Sequence, residues 1–199
     1  MTERRSSIST ETGDHELMAR LASGEDLALN ALMQRWSDRL ISFLYRMTGQ
    51  HEAAADLAQE TFVKLYQARA RYRPHSCEFS TWLFAIASNL AKNHARWRSR
   101  HPEVPLDAPA SDGSAAIPEA RSSSASPDQA AIAHETETQV RQAILALPAD
   151  LREALLLSTH EQLGYAEIAE ITRCSPKAVE TRIYRARQIL KDRLQHLRT

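Results

Sequence analysis

A chain of 199 residues has room for one ordinary domain or two small ones, and 43% hydrophobic content is enough to build real cores. Only five glycines argue against a turn-rich all-β fold, and two distant cysteines, Cys77 and Cys174, exclude a disulfide framework. The formal charge is zero, but its distribution is uneven: net −4 over residues 1–60, +7 over 61–101, −9 over 102–172 and +6 over 173–199. Two basic blocks alternating with two acidic ones point to function more than to solubility.

The first 13 residues are polar and lack the apolar core of a secretory leader, and no apolar run approaches 18 residues. A cytoplasmic, reduced protein without membrane insertion is therefore expected. From residue 14 onward helical periodicity takes over. Asp14 is read as the cap of a short helix carrying Leu17, Met18 and Leu21, which stops near Ser23 and Gly24. Residues 26–48 follow as a longer helix, with Leu29, Leu32, Met33, Trp36, Leu40, Phe43, Leu44 and Met47 at three-to-four spacing. Gly49 sits where a left-handed C′ residue belongs.

A third helix is expected over 52–71, ended by Pro74. Ala54, Leu57, Ala58, Thr61, Phe62 and Leu65 point one way; Asp56, Gln59, Glu60, Val63, Lys64 and Gln67 form the opposite stripe. Ser80 is the candidate cap of a fourth helix reaching about residue 98. The run from Tyr72 to Arg100 concentrates aromatics (Tyr72, Phe79, Trp82, Phe84, Trp97) among cations that include Arg73, Lys92, Arg96 and Arg98. Aromatics among cations suit unstacked, single-stranded bases, and Asn89 and Asn93 add groups able to reach a base edge. Trp82 and Phe84 are assigned in part to the core. His75 and Cys77 sit close together, but two candidate ligands do not make a metal site.

Composition then changes. Residues 101–130 hold five of the eight prolines, six serines and five acids against one base, with no periodic apolar face. This reads as a linker, whose ends as a random coil would average about 30 Å apart. Periodicity resumes near residue 128 and stops at Pro148, and three more helices are expected over 149–158, 165–172 and 176–197. No strand-like alternation occurs. The fold class is thus all-α: a disordered tail at 1–13, a helical domain at 14–100, the linker at 101–130 and a second helical domain at 131–199.

The sharpest local signal lies at the C-terminal end. Ile168, Ala169 and Ile171 face inward on a short helix, residues 172–174 turn, and Ser175 caps a second helix with Pro176 at its first position. Val179, Ile183, Ala186 and Leu190 form the inward stripe of that helix. Lys177, Glu180, Thr181, Tyr184, Arg185 and Gln188 face outward, flanked by Arg182 and Arg187. Short helix, tight turn and basic second helix make a helix-turn-helix, whose second helix enters the major groove. Arg185 can read guanine, and Glu180 can accept from cytosine N4. Cys174 is read as a buried turn residue. No HExxH motif, phosphate-cradling glycine loop or supported nucleophile–base pair suggests an enzyme. On these features alone, a stand-alone helix-turn-helix regulator remains the alternative to an initiation factor.

Taken together, DLAQETF at 56–62, YRPHSCEFSTWLFAIASNLAKN at 72–93 and LPADLREALLL with YAEIAEI…VETRIYRARQIL at 147–190 resemble bacterial sigma factors. With no room for extra domains, the resemblance is to the small extracytoplasmic-function group of the sigma-70 superfamily, which keeps regions two and four. The resemblance implies a factor that binds core RNA polymerase, directs it to promoters and assists strand opening, without a cofactor or metal. It assigns Asp56, Gln59, Glu60 and Lys64 to the clamp helices of the polymerase beta-prime subunit. Tyr72, Arg73, His75 and Asn89 match the surface that captures bases of the minus-ten element, with Lys92, Arg96 and Arg98 as phosphate contacts. Lys177, Glu180, Thr181, Arg182, Tyr184, Arg185 and Arg187 match the reader of the minus-thirty-five element. Further implied partners are the polymerase beta flap and an anti-sigma factor. Three positions depart from the family's habit: Arg173 and Lys177 stand where glycine is common, and Glu180 where a base is common.

Overall fold

In the computed structural model, residues 13–73, 77–101 and 127–198 are described. Eight α-helices occur among them: α1 (Asp14–Ala22), α2 (Leu27–Thr48), α3 (His51–Ala68), α4 (Phe79–Arg100), α5 (Pro127–Leu145), α6 (Ala149–Thr159), α7 (Tyr165–Thr172) and α8 (Pro176–Arg193). Short 3₁₀ turns cover Arg69–Arg71 and Gln195–Arg198, and no strand occurs among the described residues.

The periodic positions bury as their spacing requires. On α2, Leu32, Trp36, Leu40, Phe43, Leu44 and Met47 are buried. All six inward positions of α3, from Ala54 to Leu65, are buried as well. Gly49 ends α2 at φ 77°, a left-handed conformation that costs glycine nothing, and its N–H returns to the Tyr45 carbonyl at 2.8 Å.

Two expected caps differ. Asp14 lies inside α1, behind Gly13, because its carboxylate is drawn sideways by Arg35 and by the Trp36 indole N–H at 3.2 Å. That contact pins the start of α1 onto α2. Ser80 likewise sits within the first turn of α4, whose N-cap is Glu78. Pairing Phe79 with Trp36, at 5.5 Å between ring centroids, draws the helix start two residues earlier. In the second half of the chain, α5 begins at Pro127, inside the stretch read as linker.

The two expected domains pack against one another. One continuous apolar cluster runs from Leu17, Leu32, Phe43 and Phe84 into Ala154, Leu156, Leu157, Ile168 and Ile183. A small satellite of Leu147, Leu151, Leu155 and Ala186 lies between α6 and α8. Leu163 and Ile168 are apolar and buried in the shared cluster, so the two halves remove surface from water jointly.

Polar contacts fix this packing. Arg152, at the start of α6, donates to the Met47 carbonyl at the end of α2, to the Leu145 carbonyl at the end of α5 and to the Leu147 carbonyl just beyond it. One guanidinium thereby satisfies carbonyls left open at two helix ends. Leu145 lies so close to Gly49 that an added Cβ there would stand 2.8 Å from its side chain. The positive φ favours glycine there, and a Cβ would have to push the Leu145 methyls aside. Arg39, stacked over Trp36 at 4.6 Å, donates to Glu161 at 2.9 Å, and Lys92 donates to Glu153 at 2.9 Å. Both carboxylates are nearly fully buried, at 6% and 2% exposure. Burial raises the Glu161 pKa above the usual carboxylate range, and Arg39 opposes that only in part.

Candidate polymerase and DNA interfaces

Three faces carry the residues singled out by sequence. The first is the outer stripe of α3. Asp56, Gln59, Glu60, Val63 and Lys64 are all exposed, and Glu60 pairs with Lys64 one turn on at 3.3 Å. Such an exposed i,i+4 pair is worth a few tenths of a kcal/mol, so both charges stay available to a partner. Exposed Val63 between them is the apolar centre a docking face needs.

The second face follows the 3₁₀ turn and α4. Arg73 is exposed, its guanidinium held by the Ala70 carbonyl at 2.9 Å and the Tyr72 carbonyl at 3.2 Å. Asn89 and Arg96 are exposed on α4, with Arg96 donating to the Asn93 side chain at 3.2 Å, while Arg98 is half-buried. At 1.5 Å per residue, Asn89 and Arg96 stand roughly 10 Å apart along the axis, about three nucleotides of duplex rise. Tyr72 is placed differently from a free stacking ring. It is 7% exposed, tilted against Trp82 at 5.0 Å and edge-on to Phe79 at 6.3 Å. Its hydroxyl bonds His15 at 2.6 Å. Burial pushes its pKa up, so the hydroxyl stays a proton donor. Lys92 is also engaged, by Glu153 across the domain junction. His75 lies outside the described residues.

The third face is the outward side of α8. Ser175 caps the helix by accepting from the Ala178 N–H at 3.2 Å, and Pro176 takes the first position. Lys177, Glu180, Thr181, Tyr184, Arg185 and Arg187 are exposed, and all of them but Arg185 line a shallow recess together with Tyr165 from α7. Lys177 pairs with Glu180 at 2.7 Å, and the Thr181 hydroxyl donates to the Lys177 carbonyl at 2.9 Å. Arg182 does not share this face; it turns toward Asp150 at 3.5 Å and the Cys174 sulfur. Half-buried Cys174 accordingly packs in the turn. Arg173 takes a left-handed conformation, φ 53° and ψ 49°, where the turn requires it.

Several contributors escaped the sequence reading. Glu167 starts α7 by accepting from the Gly164 N–H at 2.7 Å, and its other oxygen receives the buried Thr81 hydroxyl at 3.3 Å. Glu153 had a visible signal, being one acid inside the apolar run 151–157. His15 had none. Among the described residues no group of three metal-ligating side chains occurs, and no helix is long and apolar enough to cross a membrane.

The halves defined by this geometry match two known sequence families: Sigma-70 region 2 over residues 32–101, and Sigma-70 region 4 over residues 137–190. Curated relatives include the RNA polymerase sigma-H factor of Pseudomonas aeruginosa, 35% identical over 94% of this chain and 97% of its own length. The ECF RNA polymerase sigma-E factor of Haemophilus influenzae is 32% identical over 92% and 96% respectively. Among solved structures, CnrH in complex with the cytosolic domain of CnrY superposes with a TM-score of 0.68 at 25% identity, covering 92% of this chain and 97% of that one. The sigma factor RpoE of Bartonella quintana, solved with the anti-sigma factor NepR, shares the fold at a TM-score of 0.60 and 22% identity, over 88% and 98%. A region-2 half with an exposed acidic helix and a region-4 half ending in a helix-turn-helix thus meet in one chain, which belongs to the sigma-70 family of RNA polymerase sigma factors, in its extracytoplasmic-function group.

Proposed function

We propose that this sigma factor divides its work among the three faces, acting in the cytoplasm as a non-catalytic initiation factor. The exposed stripe of Asp56, Gln59, Glu60 and Lys64 docks on the beta-prime clamp helices. Arg73 and Asn89 take unpaired minus-ten bases, with Arg96 and Arg98 on upstream phosphates. The outward face of α8 reads the minus-thirty-five duplex in the major groove, while the beta flap supports that half from the side away from DNA. Captured bases offset the few kcal/mol that unstacking costs, and the polymerase supplies the remaining contacts. The observation that carries this reading is the exposed recess on α8, aligned by its Ser175 cap and backed by α7.

The domain junction bears on the free protein. Lys92 cannot hold a promoter phosphate while its ammonium sits 2.9 Å from Glu153. Opening the junction frees that cation, so the chain alone should bind DNA weakly and the polymerase-bound chain strongly. CnrH was solved with CnrY and RpoE with NepR. That likeness supports an anti-sigma partner for this chain as well.

Two measurements test the proposal. In a gel shift, the purified chain alone should leave a cognate promoter fragment free, and adding core polymerase should shift it. Tight binding by the chain alone, with no gain from polymerase, would sink it. Replacing Asp56 and Glu60 by Ala should weaken core binding about tenfold or more, corresponding to roughly 1–2 kcal/mol for two interface anchors. Undiminished core affinity removes α3 from the docking surface.

A further inference from the structure

The 3₁₀ turn and α4 are joined by a connection whose two ends are held by one side chain from outside it. His15, on α1, bonds the Tyr72 hydroxyl through Nδ1 at 2.6 Å and the Glu78 carboxylate through Nε2 at 3.2 Å. Tyr72 closes the 3₁₀ turn, and Glu78 is the N-cap of α4. Glu78 accepts from the Nε2–H, since a carboxylate has no proton to donate, and Nδ1 pairs with the tyrosine hydroxyl. The imidazole also stacks on the Tyr72 ring, 5.9 Å between centroids and 18° from parallel.

α1 itself is well anchored. Leu17, Met18 and Leu21 are buried, and Asp14 is pinned by Arg35 and Trp36. The short helix therefore does not need His15 to stay in place. A side chain that uses both ring nitrogens, one on each side of a single connection, does more than dock a helix. It ties Tyr72, which neighbours Arg73, to the N-cap of the helix that carries Asn89. A surface that takes unpaired bases gains affinity from being shaped before they arrive, since ordering it at binding costs free energy.

We propose that His15 is a positioning residue for promoter opening: by bridging Tyr72 and Glu78 it fixes the 3₁₀ turn against the start of α4 and so pre-shapes the base-capturing surface. This rests on the assignment of Arg73 and Asn89 to unpaired bases.

The test uses holoenzyme assembled from core polymerase and full-length chain, with two readouts. One is affinity for a fluorescent single-stranded minus-ten oligonucleotide. The other is the rate of promoter opening, followed by 2-aminopurine in the minus-ten element. His15→Ala should weaken oligonucleotide capture roughly fivefold to tenfold, the effect of losing one or two hydrogen bonds. Opening should slow in parallel, with core affinity and helicity unchanged. His15→Gln, whose amide can accept from Tyr72 and donate to Glu78, should restore most of the loss. Asn89→Ala is the control for the underlying assignment. Weak capture by Asn89→Ala with normal capture by His15→Ala overturns the positioning role alone. Normal capture by both overturns the base-capturing surface, and the positioning role with it. A His15→Gln variant as defective as His15→Ala, or a loss of core affinity in step with capture, overturns positioning in favour of simple packing.

Discussion

Arg173 sits at the hinge of the helix-turn-helix with φ 53° and ψ 49°, a backbone region where a side chain costs about 1 kcal/mol relative to glycine. Its side chain is exposed, so nothing in the core is lost by removing it. Arg173→Gly should therefore stabilise the protein by about 1 kcal/mol, less the entropy that glycine adds to the unfolded chain. A urea midpoint that rises with unchanged slope checks this; a midpoint that falls would mean the guanidinium makes a stabilising contact at the turn. Lys177, the other position where glycine is common in the family, carries no such strain, because it lies within α8 and pairs with Glu180.

At the scale of a helix, α8 separates arginines that the sequence places together. Arg185 is exposed on the outward side, whereas Arg182 faces Asp150 and the Cys174 sulfur. Arg185→Ala should cost about 1–3 kcal/mol of binding to a matched minus-thirty-five element. Arg182→Ala should leave discrimination between matched and mismatched elements unchanged. Competition binding with holoenzyme reads both, and a specificity loss in the Arg182 variant would return that residue to the groove. Helices like α8 were largely legible in sequence, because periodicity sorts inward from outward faces and a Ser-Pro start marks the cap. Arg182 was not: a residue at the flank of the stripe goes to whichever partner the third dimension supplies, here Asp150 from α6. Tyr72 failed to read for a related reason. An aromatic beside arginines looks like a stacking platform, yet its ring is closed in by Trp82 and Phe79 and its hydroxyl is taken by a histidine 57 positions away. Asp14 and Ser80 were plausible caps by local rules, and tertiary partners drew the helix starts elsewhere.

At the scale of the whole molecule, the two helical domains expected from the sequence pack against each other through a shared apolar cluster that local periodicity does not announce. Local periodicity reports which face of a helix is apolar but not what covers it, so nothing along the chain sets α4 against α7. The hint lay in charge: an acid inside 151–157 must be paired to be buried, and its partner is 61 positions away. Glu153→Gln removes that pairing while keeping shape. It should weaken the junction by several kcal/mol at most, since breaking a buried pair on one side typically costs 3–5 kcal/mol and the amide retains a hydrogen bond. Small-angle scattering should then show a larger radius of gyration, and the chain alone should bind promoter DNA more tightly than the parent. Unchanged dimensions with unchanged DNA affinity would mean the junction does not restrain the free protein.

The meeting of Arg152 with the Met47 carbonyl, and of Leu145 with Gly49, also limits how the two halves can be exchanged. Recombining this region-2 half with another factor's region-4 half brings together a glycine socket and whatever side chain fills the position of Leu145. It also leaves the carbonyl end of α2 dependent on a foreign residue for its guanidinium. Promoter specificities in such hybrids are therefore transplantable only as a set: the recognition helix travels with Arg152 and Leu145, or the hybrid loses its closed resting form even where both halves fold.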